Sequence, residues 1–255
     1  MECYKFSEDN TFNHYNNERL NGYLYENVFD NNLFVALKNQ VERIFYNSTT
    51  HTFLTHTTIF SVGDESKKII SHAENDRKQH VLFDLSFEPE YYYQTVNSIV
   101  SWSNQKIKNS LSPVFTKCIQ TFNNCEPMNK DEWICFRLHL NVLEFENFLS
   151  MHFDTSNLMY NTRNSQSARA FSVTYYLDDH IPGCGGELFS VNGFNYKPKK
   201  NCAIAINGNS VMHGVNANNH PDKKTRLAFT MRFAHIQDLF LPGHPDKCLY
   251  KPADV

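Results

Sequence analysis

The spacing of hydrophobic residues in the first half of the chain is typical of helices mixed with strands. Over residues 30–48, apolar residues recur every three or four positions and predict an amphipathic helix, with Asp30 placed to cap it. These apolar positions are Leu33, Leu37, Val41 and Ile44. A second apolar stripe that opens with a proline predicts a helix over residues 88–111. The runs 51–62 and 80–87 are rich in strand-forming residues.

The second half of the chain changes to short β-rich segments separated by turn residues. Seven such segments follow one another: 133–145, 148–153, 169–179, 186–194, 195–206, 210–216 and 226–236. Many short strands with turns between them predict an antiparallel sandwich or barrel. Because the helices come first and the strands later, we expect an α+β fold in which N-terminal helices buttress the strands.

The chain contains no internal repeat, no Pro-rich or Gly-rich linker and no low-complexity block. We therefore expect a single domain over residues 1–255. Within it, residues 1–130 would supply helices and supporting strands, residues 131–240 the β-rich core, and residues 241–255 a C-terminal tail.

Composition and charge narrow the functional classes. Of 255 residues, 41% are hydrophobic, which is enough for a sizeable core. The net charge of −3 gives no broad basic surface and disfavours nucleic acid as a partner. The sequence predicts neither a signal peptide nor a membrane span. Seven scattered cysteines without a C-x-x-C pair favour reduced thiols and a cytoplasmic protein.

The pattern His-x-Asp occurs three times, and one copy stands at the end of a predicted strand. His152 and Asp154, in FLSMHFDTSN, share one face of an extended chain because side chains alternate with period two. A metal site needs a third ligand from another strand, and His213 in NSVMHGVN is the best candidate. Two imidazoles and one carboxylate are a ligand set of non-haem Fe(II) enzymes. The alternative is a chance match, with two polar residues ending a strand.

The other two copies lie in polar segments. His220 and Asp222 are in NANNHPDKKT, and His244 and Asp246 are in LPGHPDKC. Asn, Asp, Pro and Gly favour turns, so we expect both copies to be solvated turns without a ligand role. Cys184 stands between two glycines and is expected to be an exposed loop thiol without a function.

Arg226 begins an otherwise apolar segment thirteen residues after His213. Period two places Arg226 on the same strand face as Ala228, Thr230 and Arg232. A cation on that face could bind the distal carboxylate of a dicarboxylate ligand through two hydrogen bonds. The alternative is a surface charge that protects a strand end. The position after a candidate metal ligand favours the first interpretation.

These motifs together resemble the Fe(II)- and 2-oxoglutarate-dependent dioxygenases, and most closely their prolyl-4-hydroxylase-like branch. The resemblance runs from about residue 133 to residue 236, and its motifs follow the order of the family. The motifs are His152-x-Asp154, Tyr176-Leu177-Asp178-Asp179, Gly185-Gly186-Glu187-Leu188, Lys197-Pro198-Lys199-Lys200-Asn201, His213-Gly214-Val215 and, last, Arg226.

The resemblance implies a double-stranded β-helix, or jelly-roll, core of antiparallel strands. It implies an enzyme that couples oxidative decarboxylation of 2-oxoglutarate to C–H oxidation, with Fe(II), 2-oxoglutarate and O2 as cofactor and co-substrates. Fe(II) would bind His152, Asp154 and His213, and Arg226 would hold the distal carboxylate of 2-oxoglutarate. Halogenases of this superfamily replace the carboxylate ligand with Gly or Ala, so Asp154 favours hydroxylation or a related oxidation.

The sequence departs from the family pattern at the expected co-substrate pocket. Ala228 stands where relatives often carry Ser or Thr, so Thr230 or a tyrosine is the expected substitute. Leu143 stands where many relatives carry Tyr. Candidate replacements are Arg137, His139, Asn141 and Tyr176. The alternative is that these are polar strand residues that face solvent.

Specific roles follow from these departures. We expect Tyr176 and Thr230 to contact 2-oxoglutarate together with Arg226. We expect Arg137 to be a second contact of its carboxylate. Arg232 and Asn141 are candidate substrate contacts.

The sequence leaves the substrate open. A small molecule, such as an amino acid or specialised metabolite, is the leading candidate, and a protein substrate of a cytosolic prolyl hydroxylase is the second. The polar loop 155–168 could cover either kind of substrate as a lid. The spacing of Arg226 and Arg232 is also similar to that in AlkB-like nucleic-acid demethylases, although the GGEL segment and the negative charge disfavour them. A non-enzymatic sandwich with an accidental triad is the last alternative.

Overall fold

The computed structural model describes the two sheets of the core, the first helix and parts of the remaining chain. The described residues are 1–7, 21–47, 54–55, 58–59, 68–69, 78–84, 105, 108, 111–129, 133–154, 169–191, 193–209, 212–235, 240–241 and 244–248. The predicted lid over 155–168 lies outside them. So does most of the predicted helix over 88–111, of which Gln105 and Lys108 are described and helical.

Two helices and sixteen strands have defined bounds in these residues. The helices are α1, Asn31–Asn47, and α2, Pro113–Asn123. The strands are β1, Glu2–Ser7; β2, Asn21–Glu26; β3, Leu54–Thr55; β4, Thr58–Ile59; β5, Lys68–Ile69; β6, Lys78–Asp84; β7, Trp133–Leu143; β8, Leu149–His152; β9, Ala170–Tyr176; β10, Leu188–Ser190; β11, Asn195–Tyr196; β12, Cys202–Ile206; β13, His213–Val215; β14, Arg226–His235; β15, Phe240–Leu241; and β16, His244–Cys248. Each of the seven β-rich segments contains a strand, as predicted.

The strands form a large and a small antiparallel sheet. The large sheet has eight strands in the order β1-β2-β12-β9-β14-β7-β6-β3, and the small sheet has four in the order β11-β10-β13-β8. Strands β4 and β5, and β15 and β16, form separate two-stranded sheets. The predicted jelly-roll core of antiparallel strands is confirmed. The β14–β7 pairing is the longest, from Arg226 opposite Leu143 to His235 opposite Trp133.

Successive side chains on the central strands of the large sheet point to opposite faces. Both of these faces are covered. On β14, Leu227, Phe229, Met231 and Phe233 belong to the main hydrophobic core, which also includes residues of both helices. The intervening side chains of Arg226, Ala228 and Thr230 line a cavity on the other face. This alternation explains how one sheet can carry an apolar core on one face and a functional cavity on the other.

Helix α1 begins as the sequence predicts. The backbone N–H of Leu33 donates to the Asp30 carboxylate at 2.9 Å, so Asp30 caps the helix. Leu37 and Val41 are buried in the main core, as their helical spacing indicates. The N-terminal helices therefore pack against the sheet, and the prediction of an α+β fold is confirmed.

Helix α2 was not singled out from the sequence, although its signals are present. Pro113 occupies its first turn, where a missing N–H costs nothing. Its buried residues, Phe115, Cys118, Ile119 and Phe122, follow helical spacing. The segment was overlooked because the preceding stripe over 88–111 was extended up to the same boundary.

Aromatic contacts join α2 and the start of α1 to the sheet. Phe29 packs at 5.1 Å from the ring of Tyr175 and at 6.2 Å from that of Phe122. Phe115 meets Phe229 edge-on at 6.1 Å. Such pairs add stabilisation beyond their buried area, so these rings hold the helices against the outer face of the sheet.

Asn201 occupies a turn position with a left-handed backbone conformation. Its φ of 56° lies in the left-handed region, which asparagine tolerates better than most residues. Its side chain accepts hydrogen bonds from the Phe29 N–H at 3.0 Å and the Tyr175 hydroxyl at 2.8 Å. Asparagine therefore satisfies the backbone requirement and also ties the β12 turn to the chain before α1.

One prediction about the C-terminal region is wrong. His244–Cys248 forms strand β16, paired with β15, whereas a solvated turn was expected for His244 and Asp246. Turn-forming Pro and Asp do not prevent pairing in a two-stranded sheet, because both strands are edges and unpaired N–H groups are tolerated there.

In the described part of the chain, no helix is both long and apolar enough to cross a membrane.

Candidate metal and co-substrate site

Three candidate metal ligands meet on neighbouring strands of the small sheet. His152 ends β8, Asp154 follows two residues later, and His213 begins β13. Strands β8 and β13 are antiparallel partners, with His213 directly opposite His152. The pairing register therefore brings together residues that are about sixty positions apart in sequence.

The donor atoms of these three residues form a compact cluster, with one ligand atom from each lying within 4.8 Å of the others. The Nε2 atom of His152 is 3.4 Å from one Asp154 oxygen, and the Nε2 atom of His213 is 3.4 Å from the other. The two imidazole centres are 4.6 Å apart. Two Nε2 atoms and a carboxylate converging in this way could hold a metal ion and leave coordination positions open.

A hydrogen bond fixes the tautomer of His152. Its Nδ1 lies 2.9 Å from the Ser150 carbonyl oxygen, which can only accept. Nδ1 therefore carries the proton, and Nε2 keeps its lone pair for the cluster. This is the arrangement that metal-binding histidines usually have behind the ligand atom.

Arg232 lies behind the carboxylate of the cluster. Its guanidinium is buried and its Nη2 is 2.9 Å from an Asp154 oxygen. Burial acts to raise the pKa of Asp154, but the charge of Arg232 and the contacts with His213 and His152 outweigh it and hold the pKa well below its usual value. Arg232 was expected to contact substrate. The structure instead directs it at Asp154, a pairing across two strands that sequence alone does not reveal.

The cluster opens into a cavity between the two sheets. The lining residues are His139, Asn141, Leu143, Leu149, His152, Asp154, Ser172, Thr174, Tyr176, Leu188, Ile206, His213, Val215, Arg226, Ala228 and Thr230. Strands β7, β9 and β14 supply most of the polar side chains. The predicted residues His152, Asp154, His213, Arg226, Tyr176, Thr230 and Asn141 are thus brought to one cavity.

Arg226 is the cation of this cavity. Its guanidinium carbon lies 5.1 Å from the centre of the Tyr176 ring, and its Nη1 donates to the Gly186 carbonyl. Among the described residues, no carboxylate forms an ion pair with it. Burial lowers the pKa of Arg226, although nearby Tyr176 and Glu187 partly offset this. Burial also raises the pKa of Tyr176 to about 12, against the effect of Arg226.

The two glycines of the GGEL segment have separate structural reasons. Both have positive φ, 71° at Gly185 and 79° at Gly186, which favours glycine. A Cβ on Gly185 would collide with the Ala217 carbonyl, and a Cβ on Gly186 would collide with the Arg226 guanidinium. The segment therefore wraps closely around the cation, an explanation for the motif that its sequence alone does not give.

A hydrogen-bonded group of polar side chains lies on the sheet wall of the cavity. Asn141 donates to the Thr230 hydroxyl at 2.8 Å, and the Thr174 hydroxyl lies 2.9 Å from the same oxygen. Thr230 is buried and lines the cavity, and its role as a substitute for the missing hydroxyl at Ala228 stays a prediction. Thr174 was missed, although period two from Tyr176 along β9 would have identified it.

Arg137 does not line this cavity. It lies two residues before His139 on β7 and opposite Arg232 of β14 in the pairing register. Its predicted contact with the co-substrate stays a prediction. The alternation along β7 correctly indicates its face, but not how far along the strand the cavity extends.

The second His-x-Asp copy lies in a turn, as predicted. The Asp222 N–H donates to His220 Nδ1 at 3.1 Å, and Asp222 is exposed. Neither residue lines the cavity. Cys184 lies in a turn, is partly exposed and carries a free thiol.

Comparison with known proteins identifies the class of this domain. Residues 138–233 match the model of the 2OG-Fe(II) oxygenase superfamily. This part of the chain, which contains the whole candidate site, is a 2OG-Fe(II) oxygenase domain. The predicted recognition, the enzyme class and the cofactor set of Fe(II), 2-oxoglutarate and O2 are confirmed at this level. No curated protein matches the sequence.

Solved structures with a similar fold share little sequence with this chain. HygX from Streptomyces hygroscopicus, with nickel and 2-oxoglutarate bound, is 10% identical with a TM-score of 0.50, covering 84% of this chain and 82% of its own. The viral collagen prolyl hydroxylase vCPH from Paramecium Bursaria Chlorella virus-1 is 11% identical with a TM-score of 0.45, covering 84% and 94%. A Pseudomonas putida prolyl-4-hydroxylase is 15% identical with a TM-score of 0.45, covering 83% and 91%. At these identities the likeness concerns the fold alone.

Proposed function

We propose that this dioxygenase hydroxylates a small molecule, with Fe(II) held by His152, Asp154 and His213 and 2-oxoglutarate held at its distal carboxylate by Arg226. The observation that carries the proposal is that the three-residue cluster and the half-buried cation of Arg226 line the same cavity, and that no carboxylate of the described residues forms an ion pair with Arg226. A dicarboxylate that chelates a metal at one end needs such a cation at the other.

The donor set fits Fe(II). Imidazole nitrogens and one carboxylate suit this metal and leave three positions of an octahedron for other ligands. The Ser150 carbonyl orients His152, and Arg232 keeps Asp154 ionised in the absence of metal. When bound, Fe(II) supplies the oxygen activation that protein side chains cannot provide. The protein's part is to fix the ligand geometry and the order in which ligands enter.

Arg226 fits a carboxylate of the co-substrate. Removing a cation from water without providing an anion is costly. Partial burial of Arg226 accordingly lowers its pKa. A carboxylate bound in bidentate fashion would restore the lost solvation with two directed hydrogen bonds. Tyr176 stacks against the guanidinium and Gly186 accepts one of its N–H groups, so the orientation of Arg226 is set before the ligand arrives.

The remaining cavity residues divide into polar and apolar groups. Thr230, Asn141 and Thr174 form the hydrogen-bonded wall that could contact co-substrate or substrate oxygens. The apolar residues Leu149, Leu188, Ile206 and Val215 also line the cavity. Apolar walls exclude water, which protects a reactive centre and strengthens the contacts made by Arg226.

Hydroxylation is proposed because Asp154 supplies the carboxylate ligand that the related halogenases replace with Gly or Ala to admit a halide. A small molecule is proposed because the sequence gives no peptide-binding repeat. A peptidyl proline is the alternative substrate, and the net charge of −3 weighs against nucleic acid.

Turnover of 2-oxoglutarate tests the proposal. Purified protein with Fe(II), O2 and 2-oxoglutarate should form succinate, slowly alone and faster when a correct substrate is present. Free amino acids and other small metabolites, proline-containing peptides and methylated oligonucleotides would be compared as stimulants. Stimulation by peptides or oligonucleotides alone would overturn the substrate assignment.

Variants locate the reaction. His152→Ala should abolish succinate formation, whereas His220→Ala, in the His-x-Asp copy outside the cavity, should not affect it. Arg226→Ala should raise the KM for 2-oxoglutarate, whereas Arg43→Ala on the surface of α1 should leave it unchanged. Wild-type turnover by His152→Ala would remove the proposed ligand set.

A further inference from the structure

Gly208 lies in the turn that follows β12, against the metal-ligand cluster, and is buried. Its carbonyl oxygen accepts a hydrogen bond from the backbone N–H of Asp154 at 2.7 Å. This bond joins the residue after β8 to the turn that leads towards β13. Gly208 thus contacts the backbone of one candidate ligand directly.

The missing side chain of Gly208 leaves space that the cluster uses. A Cβ at this position would lie 2.5 Å from Asp154 Oδ2 and 2.7 Å from His213 Cε1. Atoms in well-packed proteins do not approach this closely, so either side chain would have to move. The two atoms belong to the pair whose Nε2 and Oδ2 are 3.4 Å apart.

Backbone conformation does not explain the glycine. The φ of Gly208 lies outside the left-handed region, in contrast to Gly183 and Gly193, whose φ values are 80° and 88° and whose Cβ positions are open. A left-handed backbone conformation is therefore not the reason for a glycine at this position. What an alanine could not do is leave Asp154 and His213 where they are.

We propose that Gly208 is a positioning residue that sets the approach of Asp154 to His213, through its carbonyl on one side and its missing Cβ on the other. The inference rests on the proposed function, because it matters only if these side chains bind metal. The expected consequence of adding a methyl group is a cluster whose carboxylate or imidazole is displaced from the geometry that Fe(II) requires.

Metal affinity is the first test. Anaerobic titration of the apo protein with Fe(II), and with Co(II) as a spectroscopic probe, would compare wild type with Gly208→Ala. Mutating a residue that supports metal ligands typically weakens metal binding by about 10- to 100-fold. We expect a loss of metal affinity in this range for Gly208→Ala. An affinity of Gly208→Ala within twofold of wild type would overturn the proposal.

Gly22→Ala is the matched control for crowding. A Cβ on Gly22 would also be too close to its neighbours, Phe6 and the Ala205 carbonyl, but Gly22 lies in β2 and does not line the cavity. We expect this variant to lose thermal stability and to retain wild-type metal affinity. Equal losses of affinity in both variants would mean that the effect is general destabilisation.

A thermal double-mutant cycle tests the contact without any metal. If the methyl group of Gly208→Ala collides with the two ligands, it should lower the Tm much less in a background of Asp154→Gly and His213→Ala. Equal Tm losses in both backgrounds would contradict the proposed contact. Should Gly208→Ala alone be insoluble, recovery of soluble protein in that background supports the contact, and continued insolubility opposes it.

The outcomes separate the two proposals. A wild-type protein that binds neither Fe(II) nor Co(II) contradicts the proposed function, while the thermal cycle still reports on the Gly208 contact. A wild type that binds metal as tightly as Gly208→Ala contradicts the inference about Gly208 alone.

Discussion

Arg232 stabilises a buried carboxylate in the metal-free protein. Its side chain and that of Asp154 are 6% and 15% exposed, and their charged atoms are 2.9 Å apart. Removing one partner of a buried ion pair typically costs about 3–5 kcal/mol, because the other charge is left uncompensated. We therefore expect Arg232→Met to lower the free energy of unfolding of the apo protein by an amount in that range near neutral pH.

The pH dependence of this loss has a definite sign. The pKa of Asp154 is lowered in the folded state, so its contribution to stability is present above the unfolded pKa and is lost as pH falls through the folded pKa. In Arg232→Met the carboxyl loses its main cation and its pKa rises. The Tm difference from wild type should thus narrow as the pH falls below about 4, the unfolded pKa of an aspartate, towards the lowered pKa of the folded state. A constant difference would contradict this account, and Arg43→Met serves as an exposed control.

Gly186 lies against Arg226, the proposed binding partner of the distal carboxylate. Gly186 and Gly183 have nearly the same φ, 79° and 80°, but only at Gly186 would a Cβ meet the Arg226 guanidinium. Gly186→Ala and Gly183→Ala therefore carry the same backbone strain, and only the first displaces Arg226. We expect the 2-oxoglutarate affinity to fall about tenfold, or 1.4 kcal/mol, in Gly186→Ala alone.

Titration of the Fe(II)-loaded variants with 2-oxoglutarate measures this difference. Metal affinity should be unchanged in both, since neither glycine contacts the three-residue cluster. Equal weakening of 2-oxoglutarate binding by the two substitutions would attribute the effect to backbone strain and not to Arg226.

At the scale of elements, the loop before β14 is tied down by one buried asparagine. The Asn218 amide donates to the Leu143 carbonyl at 2.9 Å and to the Lys224 carbonyl at 2.8 Å. Leu143 is the register partner of Arg226, and Lys224 lies two residues before it. Asn218 therefore fixes the strand end from which Arg226 enters the cavity.

Asn218→Ala should destabilise the protein by about 1–3 kcal/mol, because it leaves two carbonyl groups without this donor. It should also raise the KM for 2-oxoglutarate more than it lowers kcat. The reason is that the strand end carrying Arg226 becomes less rigid, whereas the three-residue cluster is unaffected. The exposed neighbour Asn219 offers the control Asn219→Ala. An unchanged KM in a destabilised Asn218→Ala protein would limit Asn218 to a structural role.

The elements of the β-rich half could be predicted because period-two alternation and turn residues are local signals. His152, Asp154 and the strand carrying Arg226 were identified for the same reason. The contact of Arg232 with Asp154 and the position of Arg137 outside the cavity could not be predicted. Both depend on strand register and on where the cavity ends. Helix α2 was not predicted because the apolar stripe before it runs up to its start. Strand β16 was not predicted because it contains the turn-forming residues Pro245 and Asp246.

At the scale of the whole molecule, the fold separates support from chemistry. The helices and the outer face of the large sheet form the main core, while the inner face and the small sheet enclose the cavity. The two histidines of the three-residue cluster lie on strands of the small sheet, Asp154 follows one of them, and Arg226 lies on the large sheet. A ligand that binds both would therefore connect the two sheets.

An anaerobic titration would show whether one ligand connects the two sheets in this way. Fe(II) and 2-oxoglutarate would be added to apo protein, and the visible charge-transfer band of the iron chelate recorded. We expect a band in wild type that is lost in His152→Ala and that requires far more 2-oxoglutarate in Arg226→Ala. A wild type that binds Fe(II) and 2-oxoglutarate without a band, or an Arg226→Ala titration identical to wild type, would contradict it.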